Sequence, residues 1–218
     1  MNKADFRKIF RWRRDEHSRQ SPADTMREML TASADIRRVI AGVEAWRSAR
    51  RPCLYAAIAG EAPTAGLFMD CVERNVSMLL PRISGDDLVW HCVADAANLA
   101  HGTRGIPEPD AALPVADARE ADCVVVPGVA FDISGGRVGR GRGFYDRFLA
   151  AIPPAVPRIA LAWDWQVHPA VPLEAHDARM DFIVTPTRVI ECRRNAVAGG
   201  ASGATTGDAA AGGAPTKS

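Results

Sequence analysis

Val124-Val125-Val126-Pro127-Gly128-Val129-Ala130-Phe131-Asp132, followed by Gly135-Gly136-Arg137-Val138-Gly139-Arg140-Gly141-Arg142-Gly143-Phe144-Tyr145-Asp146-Arg147, is the stretch that decides how this chain is read. The valine run reads as a buried strand, and it leads into a loop with glycine at alternate positions. The loop opens directly into a helical pattern. Glycine lets backbone amides approach a phosphate closely, and a helix N-terminus adds unpaired N–H groups and a positive dipole. Arg137, Arg140 and Arg142 supply charge-assisted donors for phosphate oxygens, and Asp146 stands where its carboxylate can hold a magnesium ion bridging phosphates. No Gly-Lys-Ser or Gly-Lys-Thr follows, and GxGxxG spacing is absent, so neither the Walker nor the dinucleotide pattern applies. On the residues alone, phosphate binding competes with a plain glycine-rich turn and with an RGG-like RNA contact. The strand-loop-helix context favours phosphate.

Working outward, short apolar runs recur at Cys53–Ile58, Val76–Leu80, Leu88–Val93, Ile159–Trp163 and Phe182–Val184. Thr64 can cap a helix through about Glu73, and a second helical segment runs from about Phe144 to Ile152. This alternation predicts an α/β fold, a mostly parallel central sheet with flanking helices. Two long N-terminal helices are expected ahead of it. The first, from Lys3 to about Arg19, carries Phe6, Ile9 and Phe10 as an apolar stripe. The second starts at Ser21-Pro22-Ala23-Asp24, an N-cap, a first-turn proline and an acidic N3 residue, and continues with Met26, Met29, Leu30, Ile36, Val39, Ile40 and Val43 at helical spacing.

The chain has 218 residues, 47% of them hydrophobic, enough to bury a core. Lys and Arg number 27 against 26 for Asp and Glu, a net charge of +1 that offers no global attraction to nucleic acid or anionic lipid. Any phosphate partner must therefore be bound locally. The 5 cysteines are scattered and form no CxxC pair, which predicts reduced thiols in a cytosol. No signal-peptide h-region and no 18-residue apolar stretch occurs, so neither export by that route nor a membrane span is expected. From Ala196 the sequence is mostly Ala, Gly, Ser and Thr, without aromatic, Leu or Ile residues. We expect one domain over residues 1–195 and a disordered Ala/Gly-rich tail over 196–218.

The central segment resembles the 5-formyltetrahydrofolate cyclo-ligase (methenyltetrahydrofolate synthetase) family, whose hallmark is Pro-Gly-x-Ala-Phe-Asp followed by Arg-x-Gly-x-Gly-x-Gly-aromatic-Tyr-Asp. Both pieces stand here in order: Pro127 to Asp132, and Arg137 to Asp146. Weaker features fall in the same order. They are Lys3 with Arg7, Tyr55 through Glu61 and Thr64, Leu80-Pro81, Gly105-Ile106-Pro107-Glu108-Pro109, and His176-Asp177 before Asp181 and Thr185. The resemblance covers about Lys3 to Ile190.

The resemblance implies an ATP- and Mg2+-dependent enzyme that converts 5-formyltetrahydrofolate to 5,10-methenyltetrahydrofolate, ADP and phosphate. It implies ATP contacts at Lys3, Arg7 and the loop residues Arg137, Val138, Gly139, Arg140, Gly141, Arg142, Gly143, Phe144 and Tyr145. Arg140, Arg142 and Tyr145 take the catalytic roles, and Ala56, Glu61, Glu108 and Tyr145 the folate side. Asp146 and Asp177 are the implied metal carboxylates. A cytoplasmic monomer bound to neither nucleic acid nor membrane is expected. Read without the resemblance, Lys3 and Arg7 are a solvated basic helix face, Glu61 a loop carboxylate, Glu108 an exposed residue between prolines and Asp177 a surface acid.

Some residues depart from the family pattern. Arg140 and Arg142 stand in the loop where many members carry Gly-Tyr-Gly-x-Gly-Tyr-Tyr-Asp, Phe144 precedes Tyr145, and Thr185-Pro186 replaces Thr-Glu. His17, His91, His101 and His168 show no ligand spacing, and the apolar surroundings of His91 predict a structural role. Trp163 and Trp165 alternate along an expected strand end, which favours core packing over stacking on a pterin. Two rival readings are an RNA-binding module built on Arg7, Lys8, Arg11, Arg13, Arg14 and the Arg-Gly loop, and a related phosphoryl-transfer enzyme acting on another small molecule.

Overall fold

The computed structural model describes residues 1–17, 19–95, 99–102, 106–174 and 177–192. Expectations that fall on Gly105, His176 and the tail from Ala196 lie outside these residues. The helices are α1 (Lys3–His17), α2 (Pro22–Ile40), α3 (Glu44–Arg47), α4 (Ala65–Glu73) and α5 (Phe144–Ala151). The strands are β1 (Pro52–Cys53), β2 (Met78–Ser84), β3 (Asp87–Val93), β4 (Leu99–His101), β5 (Pro107–Pro109), β6 (Val115–Ala116) and β7 (Cys123–Val126). They continue with β8 (Ala130–Asp132), β9 (Arg137–Val138), β10 (Arg158–Leu161), β11 (Val167–His168), β12 (Phe182–Val184) and β13 (Val189–Glu191).

An eight-stranded sheet in the order β13-β12-β10-β7-β1-β2-β3-β6 forms the centre. From β12 through β10, β7 and β1 to β2 neighbouring strands run parallel, and the antiparallel pairs lie toward the two edges. Successive residues of β7 feed opposite faces, as strand geometry requires. Val125 packs with Ile36, Ile40, Trp46, Leu67 and Phe68 from the helices α2 to α4. Val124 and Val126 pack on the other face with Phe148 and Leu149 of α5. With apolar side chains covering both faces, β7 has no polar alternation to show.

Ser21 caps α2 by accepting from the Asp24 N–H at 3.1 Å. The stripe of α2 is buried only in its second half: Ile36 and Ile40 are fully covered, whereas Met26 and Leu30 are exposed. Thr64 stands at the N-cap of α4 without capping it; its hydroxyl accepts from the Ala57 N–H at 3.2 Å, which ties the loop after β1 to this helix. The apolar run at 53–58 stays in the ladder only at its start, because Leu54 still donates to Leu79 O at 2.9 Å and the chain then leaves the sheet. Trp163 and Trp165 flank Asp164 in a short 3₁₀ turn rather than a strand, with Trp163 against the main core and Trp165 against α1 through Phe10. His91 is buried, its Nδ1 2.9 Å from Leu113 O.

A small sheet, β11-β8-β9, builds the platform under α1. Asp132 organises it. Its Oδ1 accepts from Ser134 N at 2.9 Å, Ser134 Oγ at 2.6 Å and Gly136 N at 3.0 Å, while Oδ2 accepts from Val171 N at 2.8 Å. A carboxylate so fully used turns the chain from β8 into β9, the strand that leads into the glycine loop. Phe6 and Phe10 of α1 pack on Val129, Ala130 and Val138 of this platform.

Candidate active site

The sheet order reverses between β1 and β7: the crossover from β1 places β2 on one side, and β7, β10 and β12 fill the other. Ligands of open α/β sheets bind outside the carboxyl ends of the strands at such a point. Here a cleft of about 480 Å³ lies where the chain leaves those strands, with Tyr55 and Ala56 after β1 and Pro127 and Gly128 after β7 among its walls.

The loop 139–143 closes one side. Gly141 (φ 100°) and Gly143 (φ 69°) hold left-handed backbone that β-carbon-bearing residues rarely adopt. Gly143 is also the N-cap of α5 and has no side chain to satisfy the helix's first N–H groups, so they stay available to a ligand. Arg7 of α1 donates from Nε to Gly139 O at 2.9 Å and so docks the first helix onto the loop.

Most residues implied for ATP and folate meet in this cleft. Ala56, Glu61, Glu108, Arg137, Gly139, Arg140, Gly141, Arg142, Gly143, Phe144, Tyr145 and Asp146 all line it. Val138 does not, being packed between Phe6 and Phe10 of α1 and the platform. Lys3, Arg7 and Asp177 stand outside the lining, and Lys3 meets Asp177, its Nζ lying 2.7 Å from Asp177 Oδ2.

Acids and bases of the site are paired. Arg137, a buried guanidinium, donates to Asp146 Oδ1 from Nη2 and to Pro127 O from Nη1 at 3.4 Å. Arg140 Nη2 lies 3.1 Å from Glu61 Oε1, and Glu61 Oε2 accepts from Ile58 N at 3.1 Å. Burial pushes the Glu61 carboxyl above its usual range, an effect that the Arg140 charge and the Ile58 N–H reduce without cancelling. Burial, followed by the Glu61 charge, also raises the Tyr55 and Tyr145 hydroxyls well above the ordinary phenol value.

Buried polar atoms ordinarily find hydrogen-bond partners, so those that do not are informative. Arg137 Nε, Tyr145 OH and Glu108 Oε2 are buried without one, and all three residues line the cleft. Glu108 is nearly inaccessible; its Oε1 accepts from Ile83 N at 3.3 Å, and Arg82 Nη1 is 3.9 Å from Oε2. A donor-rich loop, together with a carboxylate oxygen and a phenol oxygen that lack hydrogen-bond partners, suits a polyphosphate beside a ligand carrying N–H groups.

A sequence model of the 5-formyltetrahydrofolate cyclo-ligase family matches residues 2–186. The chain belongs to that family. Over 155 residues it is 34% identical to the 5-formyltetrahydrofolate cyclo-ligase of Mycolicibacterium smegmatis, a match covering 67% of this chain and 79% of the relative. The solution structure of Aquifex aeolicus 5,10-methenyltetrahydrofolate synthetase superposes with a TM-score of 0.72 at 27% identity, covering 88% of this chain and 94% of the other. A Mycoplasma pneumoniae 5,10-methenyltetrahydrofolate synthetase shares the fold at a TM-score of 0.64 and 19% identity, with 85% and 99% covered.

Sequence reasoning missed part of this cyclo-ligase family cleft. Ile83 and Leu88, paired across the β2–β3 hairpin, form a half-buried apolar wall. Arg14, two turns along α1 from Arg7, reaches the lining, whereas Arg7 does not. Phe10 lies beneath Arg140, whose Cζ is 5.2 Å from the ring centroid. Its signal was present as the apolar stripe of α1, which we read only as core.

Proposed function

We propose that this protein is an ATP- and Mg2+-dependent 5-formyltetrahydrofolate cyclo-ligase, forming 5,10-methenyltetrahydrofolate, ADP and phosphate. The observation that carries it is the meeting, in one cleft, of the Arg137–Gly143 loop with the buried Glu61 and Glu108 and with Tyr145, whose hydroxyl, like Glu108 Oε2, is buried without a hydrogen-bond partner. A formyl amide is a poor electrophile because its nitrogen lone pair is delocalised into the carbonyl. In the proposed reaction the formyl oxygen attacks the γ-phosphorus of ATP and ADP leaves; the neighbouring folate nitrogen then closes on the formyl carbon, and phosphate departs with the former formyl oxygen.

The protein's task is positioning and charge neutralisation. Arg140, Arg142 and Arg137, with the N–H groups at the start of α5, answer the phosphate oxygens. Lys3 and Arg7 bring α1 to the same side. Tyr145 OH, lacking a partner inside the protein, donates to a substrate oxygen. Glu61 and Glu108 accept from N–H groups of the folate, and Ala56 with the Ile83–Leu88 wall packs on its apolar surface.

Asp146 and Asp177 are the carboxylates we assign to magnesium, whose hard-oxygen shell would be completed by phosphate oxygens and water. Bound there, the ion would supply charge neutralisation. Among the described residues no group of three or more His, Cys, Asp or Glu could hold a metal ion.

We read the protein as a cytoplasmic monomer; among the described residues no helix is long and apolar enough to cross a membrane. The deciding experiment follows methenyl-folate absorbance from 5-formyltetrahydrofolate with and without MgATP. Folded, metal-replete protein that yields no product would sink this reading, and a salt-titrated RNA-binding assay on the same sample addresses the nucleic-acid alternative.

A further inference from the structure

We propose that Glu61 and Arg140 form an exchangeable pair that couples the cleft's two ligands: Arg140 passes from Glu61 to a polyphosphate, and the released Glu61 oxygen accepts an N–H of the second ligand. This inference rests on the reading of the cleft as a site for ATP and a formylfolate.

The two oxygens of Glu61 have different holders. Oε2 is fixed by the backbone N–H of Ile58 at 3.1 Å, whereas Oε1 faces the guanidinium of Arg140 at 3.1 Å. The carboxylate is therefore anchored by one oxygen and exchangeable at the other. Its side chain is 8% exposed against 37% for Arg140, so the arginine is the partner free to move. Arg140 sits between glycines, and Gly141 has left-handed backbone; the ring of Phe10, 5.2 Å from Cζ, already gives the guanidinium a cation–π contact besides Glu61.

A buried carboxylate stripped of its cation is costly unless another donor replaces it. A polyphosphate that draws Arg140 away leaves Glu61 unanswered. A folate that claims Glu61 Oε1 leaves the arginine unanswered. With both ligands present each charge regains a partner, so each ligand strengthens the other, and linkage makes the factor the same in both directions. Arg142 offers the contrast: its nearest carboxylate, Asp86, is almost fully exposed and 3.9 Å away, so drawing Arg142 to phosphate strands no buried charge.

Calorimetric titration of the full chain with the magnesium complex of β,γ-methylene ATP and with 5-formyltetrahydrofolate, each alone and in the presence of the other, reads the coupling without turnover. We expect each ligand to tighten the other about tenfold, within the usual range for coupled sites. Glu61→Gln and Arg140→Gln should each bring that factor close to one, while Arg142→Gln weakens the nucleotide and keeps the coupling. Circular dichroism establishes that each variant is folded, and Arg140→Lys, which keeps the charge, should retain part of the factor. If both ligands bind the wild type independently, or if the coupling survives in folded Glu61→Gln, the inference is overturned and the functional reading stands. If neither ligand binds folded wild-type protein, the functional reading falls and takes the inference with it.

Discussion

Lys3, on the first helix, and Asp177, 174 residues further along the chain, share a hydrogen bond of 2.7 Å, and Glu174 accepts from the same ammonium at 2.8 Å. Burial works to lower the Lys3 pKa, but the hydrogen bonds and charges of Asp177 and Glu174 outweigh it and leave it raised. The clasp holds α1 against the segment that precedes β12. Replacing Lys3 with Ala should destabilise by about 1 kcal/mol or less, a fall in Tm of about 2–4 °C for a chain of this size. Nucleotide affinity should fall further than that. Unchanged ATP affinity in a calorimetric titration would remove Lys3 from the nucleotide site.

Asp146→Asn removes the charge that answers Arg137, whose side chain is 4% exposed and whose Nε already lacks a partner. Stability should fall by about 1–3 kcal/mol, since Asn retains one acceptor but leaves a buried cation less well compensated. If Asp146 also holds magnesium, kcat falls by about a hundredfold or more. Added magnesium should recover part of the rate. Thermal denaturation and turnover measured across a magnesium titration separate the two effects; a lowered Tm with ordinary turnover leaves only the structural role.

For Glu61→Gln the expected directions are opposed. A group whose folded pKa is raised favours the folded state in its neutral form, and that contribution is lost as pH rises through the folded pKa. At neutral pH the permanently neutral glutamine should therefore keep or raise the Tm, while folate affinity drops more than ATP affinity. A clear drop in Tm at pH 7 would mean that the Arg140 contact outweighs the burial cost.

Tyr145→Phe deletes a buried hydroxyl that has no partner inside the protein. Removing such a group relieves a desolvation cost, so the variant should be at least as stable as wild type. Its turnover should fall by about tenfold to a hundredfold if the hydroxyl donates to substrate. Full activity in the folded variant would show that the phenol only packs.

Asp132 predicts the acid limb of stability. Burial acts to raise its pKa, but hydrogen bonds from Ser134, Val171 and Gly136 prevail and hold it below the ordinary value. Its contribution is present above the unfolded-state value near 3.9 and is lost as pH falls through the lower folded pKa. Unfolding free energies measured from about pH 5 down to about pH 2.5 should decline, and in Asp132→Asn that decline should flatten. An identical slope in both proteins would assign the acid limb to other carboxylates.

Much of the central layer was legible. The run Val124–Val126 has no polar residue because it faces α2 to α4 with Val125 and α5 with its neighbours, so burial on both sides is written in its composition. Ser21 and Pro22 announced a helix start by local chemistry alone. The short elements escaped. β5 is Pro107–Pro109, a segment whose prolines argue against a strand, and it persists as one partner of the small β4–β5 pair. The β8–β9 turn is organised by Asp132, whose acceptors serve Ser134, Gly136 and the distant Val171, and no periodicity betrays a Val171 contact. At the cleft, residue types were legible and their pairings were not: nothing within the sequence near Glu61 marks Arg140 as its partner, because that choice is made by the packing of the sheet.

The docking of α1 sets an order on the birth of the molecule. Its residues leave the ribosome before the segments they dock on, so Arg7 must wait for Gly139 and Lys3 for Asp177, sequence separations of 132 and 174. During synthesis the basic helix has no seat until most of the chain has emerged. Local pieces such as the β2–β3 hairpin can form early, whereas contacts between distant residues pay loop-closure entropy and form late. The cleft is thus a product of completion, and a nascent chain halted before β9 can hold no assembled loop for a nucleotide to find.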